Sequence, residues 1–322
     1  MSAVVTSSFK APWILHNPHV QTCLAILTRC RIKASVFWEE LQLPDGDFVD
    51  LVWLGNQAEG PIALLIPGLE GGLHASYISS LIVPLLSQGW RVVVMHFRCC
   101  SGRLNTLPRG YSANDSDDLQ MISANLRMQN PGETIIGIGF SLGASILLKM
   151  LEEVSALTFP NNYINAAVAI SVPYDLARTI DYIPAFYQHY MLRSMKAKLK
   201  RKIKSGFALP LTSKQIDAIQ TLREFDQKIT APLHGFASAE DYYQASSCGE
   251  HLAKINIETL LIHAWDDPLV PRSCIPQADN LGKNMRLELS EHGGHLGFLS
   301  SCLPWREQWL TRRILEFTKA CL

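Results

Sequence analysis

Short runs of mostly apolar residues recur along the chain, each ending in a cluster of glycine, proline or small polar residues. They are Ile62–Ile66 (IALLI), 91–97 (RVVVMHF), 134–138 (TIIGI), 166–171 (AAVAIS), 257–263 (IETLLIH) and 285–289 (MRLEL). Runs this short, with little polar alternation, predict strands buried on both faces, as in a parallel sheet. Between them the spacing changes to the helical period at 77–88, at 112–127, after Gly143 and at 303–319. Asp115, Asp117 and Asp118 crowd the first turns of the second of these, where the helix dipole favours carboxylates. Further upstream, 38–43 and 48–54 flank Pro44-Asp45-Gly46-Asp47, and Asp-Gly between strand-like runs predicts a hairpin. Residues 9–33 begin with the turn formers Pro12 and Asn17-Pro18 and continue into a short amphipathic helix at about 20–29.

Alternating buried strands and helices define an α/β protein with a mostly parallel, doubly wound sheet, opened by an antiparallel hairpin at its edge. The alternation stops at residues 174–249, which are rich in aromatic and charged side chains and read as helical. The expectation is one domain over 1–322 with a helical cap, 174–249, inserted into it. At 322 residues, with 48% apolar and 18% charged side chains, the chain has ample material for a large core.

Charge adds an exclusion. Twenty-nine basic and 29 acidic side chains balance, so no global field favours nucleic acid. The N-terminus lacks a basic region followed by a long apolar one, and no stretch reaches the ~20 apolar residues of a membrane span. The eight cysteines are scattered without C-x-x-C spacing, which reads as reduced thiols of a cytoplasmic protein. No cofactor or metal motif is present.

Candidate chemistry centres on residues 134–150, TIIGIGFSLGASILLKM. An apolar strand run meets Gly139-Phe140-Ser141-Leu142-Gly143, and a helix pattern follows, the context of a G-x-S-x-G nucleophile elbow. The turn is so tight that the residues flanking the serine must be nearly free of side chain. Ser141 then stands exposed at a helix start, beside free N–H groups and the positive end of the helix dipole.

A serine hydroxyl needs a base, and the base needs an orienting acid; in this fold the chain order is Ser, Asp or Glu, His. Ala264-Trp265-Asp266-Asp267-Pro268-Leu269-Val270-Pro271 follows a buried strand, and its D-x-x-V-P form selects Asp267, with Asp266 the runner-up. Glu291-His292-Gly293-Gly294-His295 follows the last strand. His295 is the expected base because glycines give a close-approaching loop before it, and His292 reads as an ordinary loop histidine. For the oxyanion, the expected donors are the N–H of Leu142 and that of Leu69 in Pro67-Gly68-Leu69-Glu70-Gly71-Gly72. That loop lacks both G-x-x-x-x-G-K-[ST] and G-x-G-x-x-G, which argues against nucleotide binding.

Nearly end to end, the chain resembles the YheT-like α/β-hydrolases, bacterial relatives of eukaryotic abhydrolase-domain lipases and yeast ethyl-ester synthases. The resemblance rests on Asn17-Pro18-His19-Val20-Gln21-Thr22, Leu43-Pro44-Asp45-Gly46-Asp47, Gly68-Leu69-Glu70-Gly71-Gly72 and His96-Phe97-Arg98-Cys99-Cys100-Ser101-Gly102. It continues in Gly139-Phe140-Ser141-Leu142-Gly143, Glu224-Phe225-Asp226, Gly235-Phe236, Asp241-Tyr242-Tyr243, Asp266-Asp267-Pro268 and Gly293-Gly294-His295-Leu296-Gly297-Phe298. It implies carboxylic ester hydrolysis on acylglycerols or medium-chain acyl esters, with the triad Ser141, Asp267 and His295. Two positions depart from the family pattern: Pro67 stands where a His is usual, and Cys99 where a Gly is usual. Pro67 removes a side chain that can brace the oxyanion loop and leaves the Leu69 donor unaffected.

Three weaker signals remain. Residues 191–204 (MLRSMKAKLKRKIK) hold seven Lys or Arg among Leu, Met and Ile. An ordinary solvated helix face is the favoured reading, and a peripheral membrane contact through 193–204 the alternative. Tyr182, Phe186, Tyr187 and Tyr190 line an acyl pocket or form the cap's own core. Glu224, Asp226 and Asp241 have no His or Cys at ligand spacing and read as structural. The expected partner is a small-molecule acyl ester, and the oligomeric state is left open. Acyl transfer to an alcohol on the same site is the alternative activity, and a non-catalytic ligand-binding member of the fold is the rival class.

Overall fold

In the computed structural model, which describes all residues except 1–2, 26–31, 33, 56–58, 158–162 and 302–307, the apolar runs pair into a nine-stranded sheet. The strands are β1 Val4–Thr6, β2 Val36–Gln42, β3 Phe48–Leu54, β4 Ile62–Ile66, β5 Arg91–His96, β6 Ile135–Phe140, β7 Ala166–Ile170, β8 Glu258–Ala264 and β9 Met285–Ser290, in the order β1-β9-β8-β7-β6-β4-β5-β3-β2. From β1 to β5 every neighbour is parallel. The β2–β3 hairpin adds antiparallel strands at the β5 edge. Its turn places Gly46 at φ +83°, the left-handed region open to glycine. The edge strand β1 pairs Val5 with Glu288, an addition that the sequence reading did not include.

Helices cover both faces. They are α1 Pro18–Ala25, α2 Ser76–Ser87, α3 Ser116–Gln129, α4 Leu142–Ser155, α5 Leu176–Tyr182, α6 Ala185–Lys204, α7 Ser213–Ala218, α8 Leu222–Phe225, α9 Ala231–Leu233, α10 Ala239–Ser246 and α11 Trp309–Ala320. Because side chains alternate along a strand, Ile62, Leu64 and Ile66 of β4 face a core shared with α3 and α4. Ala63 and Leu65 face the other core, shared with α2 and α11. Helices α5 to α10 and a π-helical turn, Asp226–Thr230, occupy the interval between β7 and β8 together with shorter turns. Ile183, Leu192, Leu199, Ile216, Leu222 and Phe225 give this interval a core of its own.

One helix boundary differs from the sequence reading. Helix α3 starts at Ser116 rather than 112, because the Asp115 carboxylate accepts from the Ser112 N–H (2.8 Å) and hydroxyl (3.0 Å) and ties these residues into a turn. The end of the helix expected over 20–29, and the start of that expected over 303–319, lie outside the described residues.

The order of strands locates the functional region. After β4 the chain crosses to β5 on one side, then returns to β6 on the other. A crevice therefore opens at the carboxyl ends of β4 and β6, where open α/β sheets bind ligands. The loop after β4 and Ser141 both stand there.

Candidate active site

Ser141 sits between β6 and α4 at φ 51° and ψ −120°, a strained conformation for a residue with a side chain. The packing explains the neighbouring glycines. A Cβ on Gly143 would lie 2.3 Å from the Pro67 carbonyl oxygen and 2.5 Å from that of Ile66; one on Gly139 would lie 2.6 Å from Ala144 Cα. The elbow is thus pressed against the end of β4.

His295 and Asp267 reach this serine from the loops after β9 and β8. Ser141 Oγ is 2.8 Å from His295 Nε2, and His295 Nδ1 is 2.8 Å from Asp267 Oδ2. The Asp267 side chain is fully buried. Burial pushes its carboxyl up, but the charge and hydrogen bond of His295 outweigh this, together with His263 and the Leu269 N–H, and hold it below its ordinary value. Its second oxygen accepts from the N–H groups of Leu269 (2.8 Å) and Val270 (3.1 Å). An ionised carboxylate at Oδ2 calls for a proton on Nδ1, which leaves the Nε2 lone pair facing the serine.

The two weaker candidates lie beside this line. Asp266 accepts from the Gly294 N–H at 2.9 Å and stands 3.3 Å from His292 Nδ1. It supports the histidine loop and does not touch His295. His292 stacks on His16, with ring centroids 4.2 Å apart. His263, under Asp267, is fully buried, with Nε2 3.7 Å from Asp267 Oδ2. Burial pushes it down to about 4, so it is neutral.

Residues that sequence reasoning passed over hold the histidine in place. The His295 N–H donates to Thr22 Oγ1 (2.9 Å), and the Gln21 amide makes a two-way pair with the Leu299 backbone (2.8 and 3.3 Å). Gly294 packs so closely on α1 that a Cβ would lie 2.5 Å from the Pro18 carbonyl oxygen. The motif Asn17-Pro18-His19-Val20-Gln21-Thr22 was the available signal, since it belongs to the resemblance without an evident role.

The loop after β4 folds back on the elbow. A Cβ on Gly68 would lie 3.2 Å from Ser141 Cβ. Residues 68–71 form a turn closed by Gly71 N–H to the Gly68 carbonyl (2.9 Å). Tyr77 Oη accepts from the Gly68 N–H at 3.0 Å, bracing the loop from beneath. Burial pushes this phenol up to about 12, so it stays protonated. Leu69 and Leu142 both adjoin this crevice, and among the described residues neither N–H has an acceptor. On the far side of the loop, His96 Nε2 accepts from the Leu73 N–H at 3.1 Å, and burial pushes that ring down to about 4, which keeps the accepting lone pair.

Cys99, at φ 65°, explains why glycine is usual at its position. The buried Arg98 beside it holds three carboxylates: Asp118 at 2.6 Å, Asp45 at 2.8 Å and Asp47 at 3.1 Å. This pins the hairpin turn and α3 to the loop after β5. All six described cysteines are free thiols, Cys99 and Cys248 buried and the others half-buried. Burial pushes Cys100, the thiol that lines the cavity, up to about 12, so it stays protonated rather than serving as a nucleophile.

A cavity of about 490 Å³ opens above Ser141 and His295. Trp38, Leu69, Leu73, Tyr187, Tyr190, Met191 and Leu269 supply much of its wall. Of the four aromatic side chains singled out in α5 and α6, Tyr187 is buried and lines the cavity, and Tyr190 lines it while 65% exposed. Tyr182 and Phe186 face outward. Asp226 is structural, its carboxylate accepting from Thr230 (2.7 Å) and Tyr243 (2.8 Å).

In the basic stripe of α6, Lys202 is buried, Arg193, Arg201 and Lys204 are exposed and the others are half-buried. Lys198 pairs with Glu70 and Lys200 with Asp217; Lys196, Arg201 and Lys202 donate to backbone carbonyls. Arg193 and Lys204 are left without a partner among the described residues. No described helix is long and apolar enough to cross a membrane, and no described cluster of His, Cys, Asp or Glu could hold a metal.

Strand, elbow and histidine loop meeting at the switch point of a mostly parallel sheet place the chain among the α/β-hydrolases. The family model described as "alpha/beta hydrolase fold" matches residues 61–301. The chain belongs to the YheT-like branch of that family: it is 36% identical over 309 residues to "Putative esterase YheT" of Escherichia coli (strain K12), covering 94% of this chain and 90% of that one. It is also 27% identical to phospholipase ABHD3 of Mus musculus, over 88% of this chain and 71% of the relative. With the monoacylglycerol lipase of Saccharomyces cerevisiae it shares 28%, over 83% and 60%. Among solved structures, the Pyrococcus furiosus esterase Pf2001 shares the fold, with a TM-score of 0.56 at 18% identity over 97% of both chains.

Proposed function

We propose that the protein is a serine hydrolase that cleaves carboxylic esters of small acyl molecules through an acyl-serine intermediate. The observation that carries this reading is the unbroken line of 2.8 Å contacts from Ser141 through His295 to a buried, ionised Asp267. His295 Nε2 takes the serine proton as Oγ attacks the ester carbonyl, and Asp267 holds the imidazole tautomer and stabilises the imidazolium. The free N–H groups of Leu69 and Leu142 receive the oxyanion. His295 then protonates the leaving alcohol, and a water, deprotonated in turn by His295, releases the acid and restores Ser141.

The substrate class is a short- or medium-chain acyl ester or an acylglycerol. The largely apolar wall and volume of the cavity suit such a chain, and relatives named phospholipase and monoacylglycerol lipase support it. Residues 174–249 act as a cap on a single domain of residues 1–322, contributing Tyr187, Tyr190 and Met191 to the cavity.

Intact-mass labelling with a fluorophosphonate tests the reading. Stoichiometric phosphonylation of the wild type and none of Ser141→Ala is the expected result. A folded wild type that takes up no label, or a Ser141→Ala variant that still hydrolyses p-nitrophenyl esters, would overturn it.

A further inference from the structure

The turn that carries the Leu69 N–H contains an anomaly. Gly68-Leu69-Glu70-Gly71 closes with the Gly71 N–H on the Gly68 carbonyl, and its third residue, Glu70, has φ +61°. A positive φ at that position after a residue of negative φ is the type II turn, which favours glycine there. A glutamate in the left-handed region is strained, because its Cβ crowds the following carbonyl oxygen. Such strain persists only where the surroundings over-determine it.

Tyr111 and the cap together over-determine Glu70. Its N–H donates to Tyr111 Oη at 3.1 Å, and Tyr111 Oη donates back to its carboxylate at 2.9 Å. Lys198 Nζ donates to the same oxygen at 2.8 Å and Ser194 Oγ to the other. Ser194 and Lys198 stand one helical turn apart on α6, so a single helix face clasps the carboxylate. The bond from the Glu70 N–H to Tyr111 also satisfies the one other free donor of the turn. Within this turn, Leu69 is left with an N–H that has no acceptor among the described residues, beside Ser141.

We propose that Glu70 is a positioning residue: through Lys198 and Ser194 it locks the turn to the cap and so aims the Leu69 N–H at the developing oxyanion. This inference rests on the ester-hydrolase reading above. Its consequence is that formation of the oxyanion hole depends on the cap being seated. A donor that matters only once charge has developed changes kcat and leaves KM nearly alone.

The test is hydrolysis of p-nitrophenyl butyrate together with thermal unfolding, for wild type, Glu70→Gly, Lys198→Met and the double variant. Glycine relieves the strained backbone but strips the largely buried Lys198 of its carboxylate, so Tm serves only to show that Glu70→Gly is folded at the assay temperature, where a merely structural role predicts full activity. The positioning role predicts a tenfold or larger loss of kcat in that folded variant, with KM within twofold. Lys198→Met, made on the cap, is expected to lower kcat in the same way, and the double variant to be no worse than Glu70→Gly alone, since both changes open one clasp. A kcat within twofold of wild type in Glu70→Gly or in Lys198→Met would overturn the proposal, as would losses that multiply in the double variant. Wild-type hydrolysis insensitive to Ser141→Ala would instead bring down the parent reading, and the two failures are told apart by that control.

Discussion

Replacing Asp267 by asparagine tests the central geometry at the level of a single proton. Both N–H groups of Leu269 and Val270 point at Oδ1, so the new amide oxygen is fixed there and the NH₂ takes the place of Oδ2, 2.8 Å from His295 Nδ1. Two donors cannot share that contact. The imidazole must carry its proton on Nε2 instead, facing Ser141 Oγ, where no lone pair is left to accept the serine proton. Loss of the working tautomer in a Ser-His-Asp triad costs about 10⁴ in kcat, roughly 5.5 kcal/mol in barrier. Because the exchange is isosteric and keeps both backbone bonds, the fold should survive, with the urea midpoint checking this. Asp266→Asn is the matched control. It touches His292 and the Gly294 N–H and not His295, so its kcat should fall by no more than about tenfold, about 1.4 kcal/mol. Initial rates on p-nitrophenyl butyrate near pH 7.5 decide the matter. A loss below about a hundredfold for Asp267→Asn, or a larger loss for Asp266→Asn, would refute the assignment.

Three further changes probe the scaffold. Gly143→Ala sets a methyl 2.3 Å from the Pro67 carbonyl oxygen. Backbone must yield, so a loss of about 1–3 kcal/mol in urea unfolding is expected, with kcat falling as the turn at 68–71 shifts. Arg98→Met leaves Asp47 and Asp118 buried without their cation; about 3–5 kcal/mol should be lost, read as a lower urea midpoint at unchanged m. Burial pushes the Asp226 carboxyl up to about 6, above the value of about 4 in an unfolded chain. With the folded value the higher one, its stabilising contribution is complete below about pH 4 and is lost as pH rises to about 6. The wild-type urea midpoint should therefore drop across that window relative to Asp226→Asn, and parallel profiles would contradict the assignment.

Where the sequence was informative, local chemistry and tertiary demand coincide. Ile62–Ile66 reads as a doubly buried strand because nothing but a core accepts five apolar residues in a row, and β4 has those bounds. The elbow was legible because Gly139 and Gly143 are forced by backbone contacts of its own turn and of β4. What escaped depends on partners distant in the chain. Thr22 and Gln21 look like ordinary helix residues until the loop at 295–299 is laid against them. Arg98 gathers acids from two segments, 45–47 and 118. Tyr77, nine residues after Gly68, supplies from below the brace that Pro67 lacks. In the basic run of α6, charge alone does not show that Lys198 reaches Glu70 or that Lys202 reaches the Arg109 carbonyl.

The grip of Gln21 on Leu299 joins residues 278 positions apart, and His295 is fixed through the same helix. The proposed base can take its working position only after one of the longest loops in the chain has closed. Contacts so distant in sequence are slow to form, because loop-closure entropy must be met first. Catalytic competence should therefore be the last property to appear on refolding, later than the fluorescence of tryptophans buried with the sheet. An esterase built in this way stays inert until the segment at 295–299 has docked on α1, and its activity is a direct readout of that docking.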